Sequence, residues 1–148
     1  MKQHGVTRIA EIAVLVFSIC LTIGIRTLFK ACDAKEDGSW MTCHWAEQAV
    51  FAVSVAILIA ACALVFYNGR GHHGVKAGIS FAIAVQAAVC IAVPGVFIGL
   101  CMMDTMRCHT VMRPAVIVVC LLVCATAVIS CYLNRKQCGM HHRTQEPV

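Results

Sequence analysis

Four long runs of apolar residues, separated by short polar segments, dominate the chain. They cover about residues 9–29, 46–67, 75–100 and 114–133. Each run approaches or exceeds the roughly 20 residues that a helix needs to cross about 30 Å of hydrocarbon, and none shows the alternation of a transmembrane barrel strand. Because backbone polar groups in a bilayer must pair within their own segment, the pattern predicts four transmembrane helices.

The composition agrees with this interpretation. Hydrophobic residues make up 60% of the 148 positions and charged residues 13%, against about 45–50% and about 25% in soluble domains. We therefore predict an all-α polytopic membrane protein that forms a four-transmembrane-helix bundle. Residues 1–134 would form the membrane domain, and residues 135–148 a basic, histidine-rich tail. Arg26 and Lys30 interrupt the region where a signal peptide would be cleaved, and no small-residue cleavage site follows, so we expect an uncleaved span.

Charge sets the expected orientation of the chain. The formal net charge is +5. Basic residues collect before the first run, between the second and third runs and after the fourth run: Lys2, Arg8, Arg70, Lys76, Arg135, Lys136 and Arg143. By the positive-inside rule, both termini and the middle loop are cytoplasmic and the other two loops face outward. In the absence of a nucleic-acid-binding motif, we expect the lipid bilayer and not nucleic acid as a partner.

Each outward loop carries the same tetrad, methionine-x-cysteine-histidine, just before an even-numbered run. Residues 41–44 read MTCH and residues 106–109 read MRCH. A further cysteine precedes each tetrad, Cys32 in the first loop and Cys101 in the second. The chain therefore resolves into two helical hairpins of the same form. Because both hairpins begin in the cytoplasm, we predict that they are parallel repeats.

One interpretation of the outward cysteines is structural. Cys32, Cys43, Cys101 and Cys108 would lie on the oxidising side of the membrane, where disulfides persist. They can pair within each loop, as Cys32–Cys43 and Cys101–Cys108, or across the loops, and the sequence does not choose among the three connectivities. Closing a loop of this size contributes about 2–4 kcal/mol. In this interpretation the protein needs no cofactor and is not an enzyme by itself.

A second interpretation is a metal site. Thioethers and thiolates favour Cu(I), and imidazole accepts copper or zinc. The candidate ligands come from the two tetrads: Met41, Cys43, His44, Met106, Cys108 and His109. Ligation needs thiolates, which disulfide formation would consume in an oxidising compartment. A haem held by His44 or His109 is a variant of this idea, although the C-x-x-C-H attachment signature is absent from the sequence.

A third interpretation is thiol–disulfide exchange. The catalytic residues would then be Cys32, Cys43, Cys101 and Cys108, relaying electrons to a quinone. Attacking thiols lie near positive charge or a helix N-terminus, and each tetrad directly precedes a predicted helix. Against this interpretation, the sequence contains no C-x-x-C motif.

Some positions inside the apolar runs predict how the helices pack. Gly95 and Gly99, like Ala84 and Ala88, have the spacing that lets two helices approach closely. Pro94 should kink the third helix. Cysteines inside the runs should behave as small hydrophobes.

Isolated polar and charged residues in or beside the runs give further expectations. Gln86 lies in mid-membrane and should hydrogen-bond to a neighbouring helix. Arg26, Glu47 and Arg113 lie near the outer edge, where a charge is a functional candidate unless it snorkels to water or pairs with another charge. Two aromatic residues flank the first tetrad as in an interfacial belt: Trp40 and Trp45.

In combination, the segments MTCHW (41–45) and CMMDTMRCH (101–109), spaced by two hydrophobic hairpins, resemble a family of small bacterial four-span membrane proteins of unknown function. The resemblance covers the chain from the first run to the fourth. It implies the four-span fold, a bacterial inner-membrane location and outward cysteines shared by the family, whose members look like companions of ABC-type export systems.

We therefore predict a small membrane accessory protein with a disulfide-stapled outer face rich in cysteine, methionine and histidine. It would act with a membrane-protein partner or as a homo-oligomer. The alternatives are a membrane thiol–disulfide oxidoreductase and a copper-binding membrane protein.

Overall fold

Helices account for most of the computed structural model, which describes residues 2–30, 40–67, 73–100 and 105–143. Within these ranges the chain forms four α-helices. They are α1 (Lys2–Thr27), α2 (Thr42–Phe66), α3 (His73–Ala92) and α4 (Arg113–Arg143). A π-helical turn, Cys108–Met112, leads directly into α4.

Each of these helices is long and apolar enough to cross a membrane. The candidate spans are Gly5–Thr27, Thr42–Phe66, His73–Ala92 and Cys108–Gly139. The shortest has 20 residues, and a rise of 1.5 Å per residue makes it about 30 Å long, which matches the hydrocarbon core of a bilayer. Large apolar side chains such as Ile59 and Phe81 are exposed on the outer surface, where lipid surrounds a membrane protein. The chain is therefore a multi-pass membrane protein, as predicted.

The helices form a closed ring in chain order. α1 packs against α2 and α4, α2 packs against α3, and α3 packs against α4. Lys76, near the start of α3, reaches Glu11, near the start of α1. Arg26, near the end of α1, reaches Glu47, near the start of α2. Neighbouring helices are therefore antiparallel, and the predicted four-helix bundle is confirmed with up-down-up-down directions.

These directions define two ends of the bundle. The terminal end comprises the starts of α1 and α3 and the ends of α2 and α4, and it includes Thr7, Lys76 and Gln137. The tetrad end comprises the ends of α1 and α3 and the starts of α2 and α4, and it includes Cys43 and Cys108.

The interior changes its chemistry along the axis between the two ends. Inward positions recur every three or four residues, the spacing that places side chains on one helical face. From the π-helical turn through α4 the buried residues are Cys108, Met112, Val116, Cys120, Val123, Ala127, Ser130, Asn134 and Gln137. This face is rich in sulfur at the tetrad end, aliphatic in the middle and polar at the terminal end. α3 follows the same order, from Cys90 through Ile83 to Ser80 and Lys76.

The third helix is shorter than the apolar run that predicted it. α3 ends at Ala92, and residues 93–98 turn back so that the Phe97 amide donates to the Ala92 carbonyl oxygen at 3.1 Å. Pro94 therefore ends the helix, and the prediction of a kink is wrong. The reason is local, because a residue before proline avoids the helical conformation. Gly95 then adopts a φ of +105°, which residues with a Cβ rarely do.

The two small-residue pairs do not pack as predicted. Gly95 and Gly99 lie outside the helices, and the Arg113 guanidinium carbon lies 3.5 Å from the position that a Cβ on Gly95 would take. Ala88 of the other pair is exposed. Gln86 Oε1 is buried with no hydrogen-bond partner among the described residues. The predicted bond from Gln86 to a neighbouring helix is therefore not made through this oxygen.

The fourth helix continues beyond the predicted span. α4 runs to Arg143, so residues 135–143 of the predicted tail are helical. Gln137 is buried against α1. The start of this segment therefore belongs to the bundle.

Candidate functional site

Both tetrads lie at the start of a helix. Met41 precedes α2 with an extended backbone, and its carbonyl oxygen accepts a hydrogen bond from the His44 amide at 3.0 Å. The Met106 carbonyl oxygen accepts the equivalent bond from the His109 amide at 2.9 Å. The helices therefore begin within the tetrads and not after them, and both begin with the same methionine-to-histidine bond.

The cysteines of both tetrads are directed into the bundle. Cys43 and Cys108 are each 0% exposed, and Met112, one turn beyond Cys108, is also fully buried. Met41 and Met106 are half-buried and pack against the same core. The sulfur atoms of the two tetrads thus line the interior of the tetrad end. A cysteine buried among apolar groups behaves as a small hydrophobe and reacts poorly with reagents in water.

The histidine of the first tetrad contacts both tryptophans. The His44 ring stacks on Trp40 with centroids 4.0 Å apart and an interplanar angle of 27°. Trp45 contacts the His44 ring edge-on, with centroids 5.8 Å apart. Both tryptophans are more than half exposed. The first tetrad therefore directs sulfur inward and supports an exposed aromatic group outside.

The predicted site residues are only partly placed together. Cys32 and Cys101 lie outside the described residues, and no disulfide joins two residues within them. Across the described ranges, no group of three or more histidine, cysteine, aspartate or glutamate side chains is arranged to hold a metal ion. Disulfide pairing, copper ligation by the tetrads and thiol exchange therefore stay predictions.

The outer charges form one ion pair at the tetrad end. Arg26 Nη1 lies 3.7 Å from Glu47 Oε1, and Arg26 Nη2 donates to Gln48 Oε1 at 3.1 Å. The guanidinium carbon is 4.1 Å from the centroid of the Phe51 ring, a cation–π geometry. Glu47 is buried, whereas the Arg26 side chain is 43% exposed. The predicted pairing between outer charges is confirmed for these two residues.

The terminal end holds a buried ion pair that the sequence interpretation missed. Lys76 Nζ donates to both carboxylate oxygens of Glu11 at 3.0 Å, and both side chains are less than one-tenth exposed. Asn134 Nδ2 lies 3.5 Å from Glu11 Oε1 and donates to the Ser130 carbonyl oxygen at 2.9 Å. The signal in the sequence is Glu11, because an acidic residue inside an apolar run is a functional candidate by default.

Hydroxyl and amide groups surround this ion pair. The Ser80 and Ser130 hydroxyl oxygens are hydrogen-bonded at 3.2 Å, and Gln137 Nε2 donates to Thr7 Oγ1 at 3.0 Å. The side-chain oxygens of Asn134 and Gln137 are buried with no hydrogen-bond partner in the described part of the chain. We name the whole group the terminal polar cluster: Thr7, Glu11, Lys76, Ser80, Ser130, Asn134 and Gln137.

Two interior cysteines contact each other nearer the tetrad end. Cys90 on α3 and Cys120 on α4 are both fully buried and share a side-chain hydrogen bond. At these positions the prediction that cysteines in the runs pack as small hydrophobes is confirmed. Cys20, inside the first run, is instead exposed.

A model of the family described as Domain of unknown function (DUF4418) matches residues 14–133. The matched segment includes both tetrads, together with Lys76, Ser80 and Ser130 of the terminal polar cluster. No curated protein and no solved structure matches the chain. The resemblance to a family of unknown function is thereby confirmed.

Proposed function

We propose that this chain, which belongs to the DUF4418 family of domains of unknown function, is a small membrane accessory protein that binds a membrane-protein partner through its tetrad end. The observation that supports this proposal is a contrast between buried and exposed groups. The tetrad cysteines are fully buried, whereas large apolar side chains around them are exposed. We name these exposed residues the rim: Trp40, Trp45, Val96 and Phe97.

The rim has the properties of a prepared binding surface. Val96 is 75% exposed and Phe97 66% exposed, and both lie on the turn after α3 and not along a helix that lipid tails cover. Tryptophan is enriched among the residues that dominate binding energy. Trp40 is already stacked on His44, so binding would cost little further loss of side-chain freedom.

The tetrads would anchor this surface. Cys43 fixes the first turn of α2 to the interior, and His44 and Trp45 follow it directly in sequence. Cys108 fixes the start of the π-helical turn in the same way. We propose that the two hairpins are repeats, which would account for the shared anchor. Disulfides from Cys32 and Cys101 would staple the loops further.

We place the protein in a bacterial inner membrane with both termini in the cytoplasm and the tetrad end outside. The sequence supports this orientation, because seven of its twelve lysine and arginine residues lie in or beside the three segments that we place in the cytoplasm. The partner that we propose is a polytopic subunit of an ABC-type export system. Self-association through the rim is the competing outcome.

Site-specific photo-crosslinking in intact cells tests the proposal. Two variants carry a photoreactive residue in place of Trp45 or of Phe97. The matched control carries it in place of Phe66, which is 83% exposed but lies at the terminal end. We expect both rim variants to give an adduct with the same polytopic membrane protein and the Phe66 variant to give none. Adducts with lipid alone, or the same adducts from all three positions, would contradict the proposal, and a dimer adduct would identify self-association.

Thiol–disulfide exchange is the second candidate function. The contact between Cys90 and Cys120, in the same half of the bundle as the buried tetrad cysteines, favours it. An outer cysteine pair would receive electrons from a substrate dithiol, which becomes a disulfide. A quinone would then take up two electrons and two protons as the outer pair is reoxidised. A mixed disulfide trapped in Cys43→Ala or Cys108→Ala would support this function, and its absence from both would oppose it.

Copper binding is the third candidate. The half-buried methionines Met41 and Met106 pack against the core that contains Cys43 and Cys108, so soft donors from both tetrads lie at one end of the bundle. Two measurements on the purified protein test this function: metal analysis, and a count of reactive thiols before and after reduction. One equivalent of copper that is lost in Met106→Ala would support it, and stoichiometric disulfides without copper would oppose it.

A further inference from the structure

We propose that the terminal polar cluster is a binding site for a monovalent metal cation, and that the Lys76 ammonium is a tethered competitor for this site. The cluster lies at the opposite end of the bundle from the rim. Cation binding there is therefore independent of the accessory function.

Within the described part of the chain, two buried oxygens of the cluster lack a hydrogen-bond donor. Asn134 is fully buried and Gln137 is 6% exposed, and neither side-chain oxygen has a partner among the described residues. The amide nitrogens are already used, by the Ser130 carbonyl oxygen and by Thr7 Oγ1. Reversing either amide would therefore only exchange one unpaired atom for another. Unpaired polar atoms are costly where lipid surrounds the bundle, so these two oxygens favour a bound group that carries positive charge or donates a hydrogen bond.

The cluster supplies the ligands that an alkali cation prefers. In addition to the two amide oxygens it contains the Glu11 carboxylate and the hydroxyl groups of Thr7 and Ser130. Hard cations prefer carboxylate, carbonyl and hydroxyl oxygens. The described members include one carboxylate, and one negative charge matches one monovalent ion.

Lys76 occupies the position of that positive charge in the structure. Its ammonium contacts both oxygens of Glu11 at 3.0 Å. Lys76 also lies in the first turn of α3, which begins at His73 at the terminal end. Its flexible stem can therefore carry the ammonium to water. Exchange of the ammonium for a metal ion keeps Glu11 neutralised, so that no unpaired charge is left inside the bundle.

The accessibility of Lys76 in the wild-type protein tests the exchange directly. The purified chain in detergent micelles is reductively methylated in lithium, sodium, potassium or choline chloride at one ionic strength. The methylation rate of each lysine is read by mass spectrometry. In at least one alkali salt we expect Lys76 to react about twofold faster or more than in choline, since a half-occupied site releases half of the ammonium. Lys136, which is exposed on α4, is the internal control.

A variant without the competitor gives a second measurement. Lys76→Met keeps the apolar stem and removes the ammonium, so that an alkali cation binds Glu11 unopposed. Its thermal midpoint, followed by the fluorescence of Trp40 and Trp45 at the far end, should be about 3–5 °C higher in the effective alkali salt than in choline. Adding Glu11→Gln to this variant should remove the difference. Glu47→Gln, at the other buried glutamate of the described ranges, should leave the wild-type Lys76 response unchanged.

Two results would overturn the proposal. One is a Lys76 methylation rate that is the same in all four salts. The other is a cation response, in either measurement, that Glu11→Gln does not abolish, because the cation would then bind elsewhere. If Lys76→Met does not fold, the methylation rate of the wild-type chain decides alone.

Discussion

The two ends of the bundle enclose polar chemistry in different ways. At the terminal end a fully formed ion pair is buried between α1 and α3, and amide and hydroxyl groups from α4 complete its surroundings. At the tetrad end the interior combines cysteine and methionine with aliphatic side chains such as Ile25 and Val50, and the ion pair has a partly exposed arginine. Sulfur-containing side chains fill a core without requiring a partner, whereas each charge at the terminal end requires one.

This difference indicates which kind of ligand each end of the bundle can recognise. The terminal polar cluster depends on distances fixed by three helices at once, so a change in helix position would disturb it. The tetrad end depends on packing, and it leaves aromatic groups on the surface that a partner can contact. The terminal end is therefore suited to a small ligand inside the bundle, and the tetrad end to a protein outside it.

The largest expected effect tests the dependence of the terminal end on paired charge. In Glu11→Leu the Lys76 ammonium loses its partner, and we expect the free energy of unfolding to fall by about 3 kcal/mol. This value is at the lower end of the range for broken buried ion pairs because the Lys76 ammonium can reach water. The measurement is equilibrium unfolding in mixed micelles. The double variant Glu11→Leu, Lys76→Leu should recover most of the loss, because an apolar pair of similar volume replaces the ions. Equal losses in both variants would show that packing at residue 11, and not charge, stabilises this end.

An intermediate effect tests whether the tetrad end is stabilised by apolar sulfur. Cys108 is fully buried, and Cys108→Ser places a hydroxyl group among apolar neighbours at a cost of about 1–3 kcal/mol. Cys108→Ala removes the sulfur without adding a polar group and should cost about 1 kcal/mol. The order of the two variants in equilibrium unfolding is the measurement. A serine variant as stable as the alanine variant would mean that water or a polar partner reaches this position.

Much of the fold follows from local patterns. The four apolar runs predict the four helices and the bundle, because length and hydropathy alone determine what can cross a bilayer. The predicted end of the third helix is wrong because proline restricts the backbone and glycine permits a turn, whatever the hydropathy of the segment. Residues 93–100 are apolar enough to extend the third span, yet Pro94 and Gly95 end α3 before them.

The candidate sites are less predictable because they depend on distant pairs. Glu11 and Lys76 are 65 positions apart, and Glu11 and Asn134 are 123 apart. In the sequence Lys76 is one more basic residue in a loop region, and only the arrangement of α1, α3 and α4 makes it a partner of Glu11. The tetrads, by contrast, are visible as a repeated motif. What the motif does not reveal is that its cysteines are directed inward.

The smallest expected effect compares the two ion pairs. Arg26→Met removes the contact with the buried Glu47, but the Arg26 side chain is 43% exposed, so water screens this pair more than the fully buried pair at the terminal end. We expect a loss of about 0.5–1 kcal/mol in the free energy of unfolding, which includes the cation–π contact with Phe51. Arg26→Lys keeps the charge but loses the planar group and should fall between wild type and Arg26→Met. Arg26→Met could instead destabilise the protein as much as Glu11→Leu under the same conditions. The tetrad end would then depend on charge as strongly as the terminal end, and the contrast drawn between the two ends would be wrong.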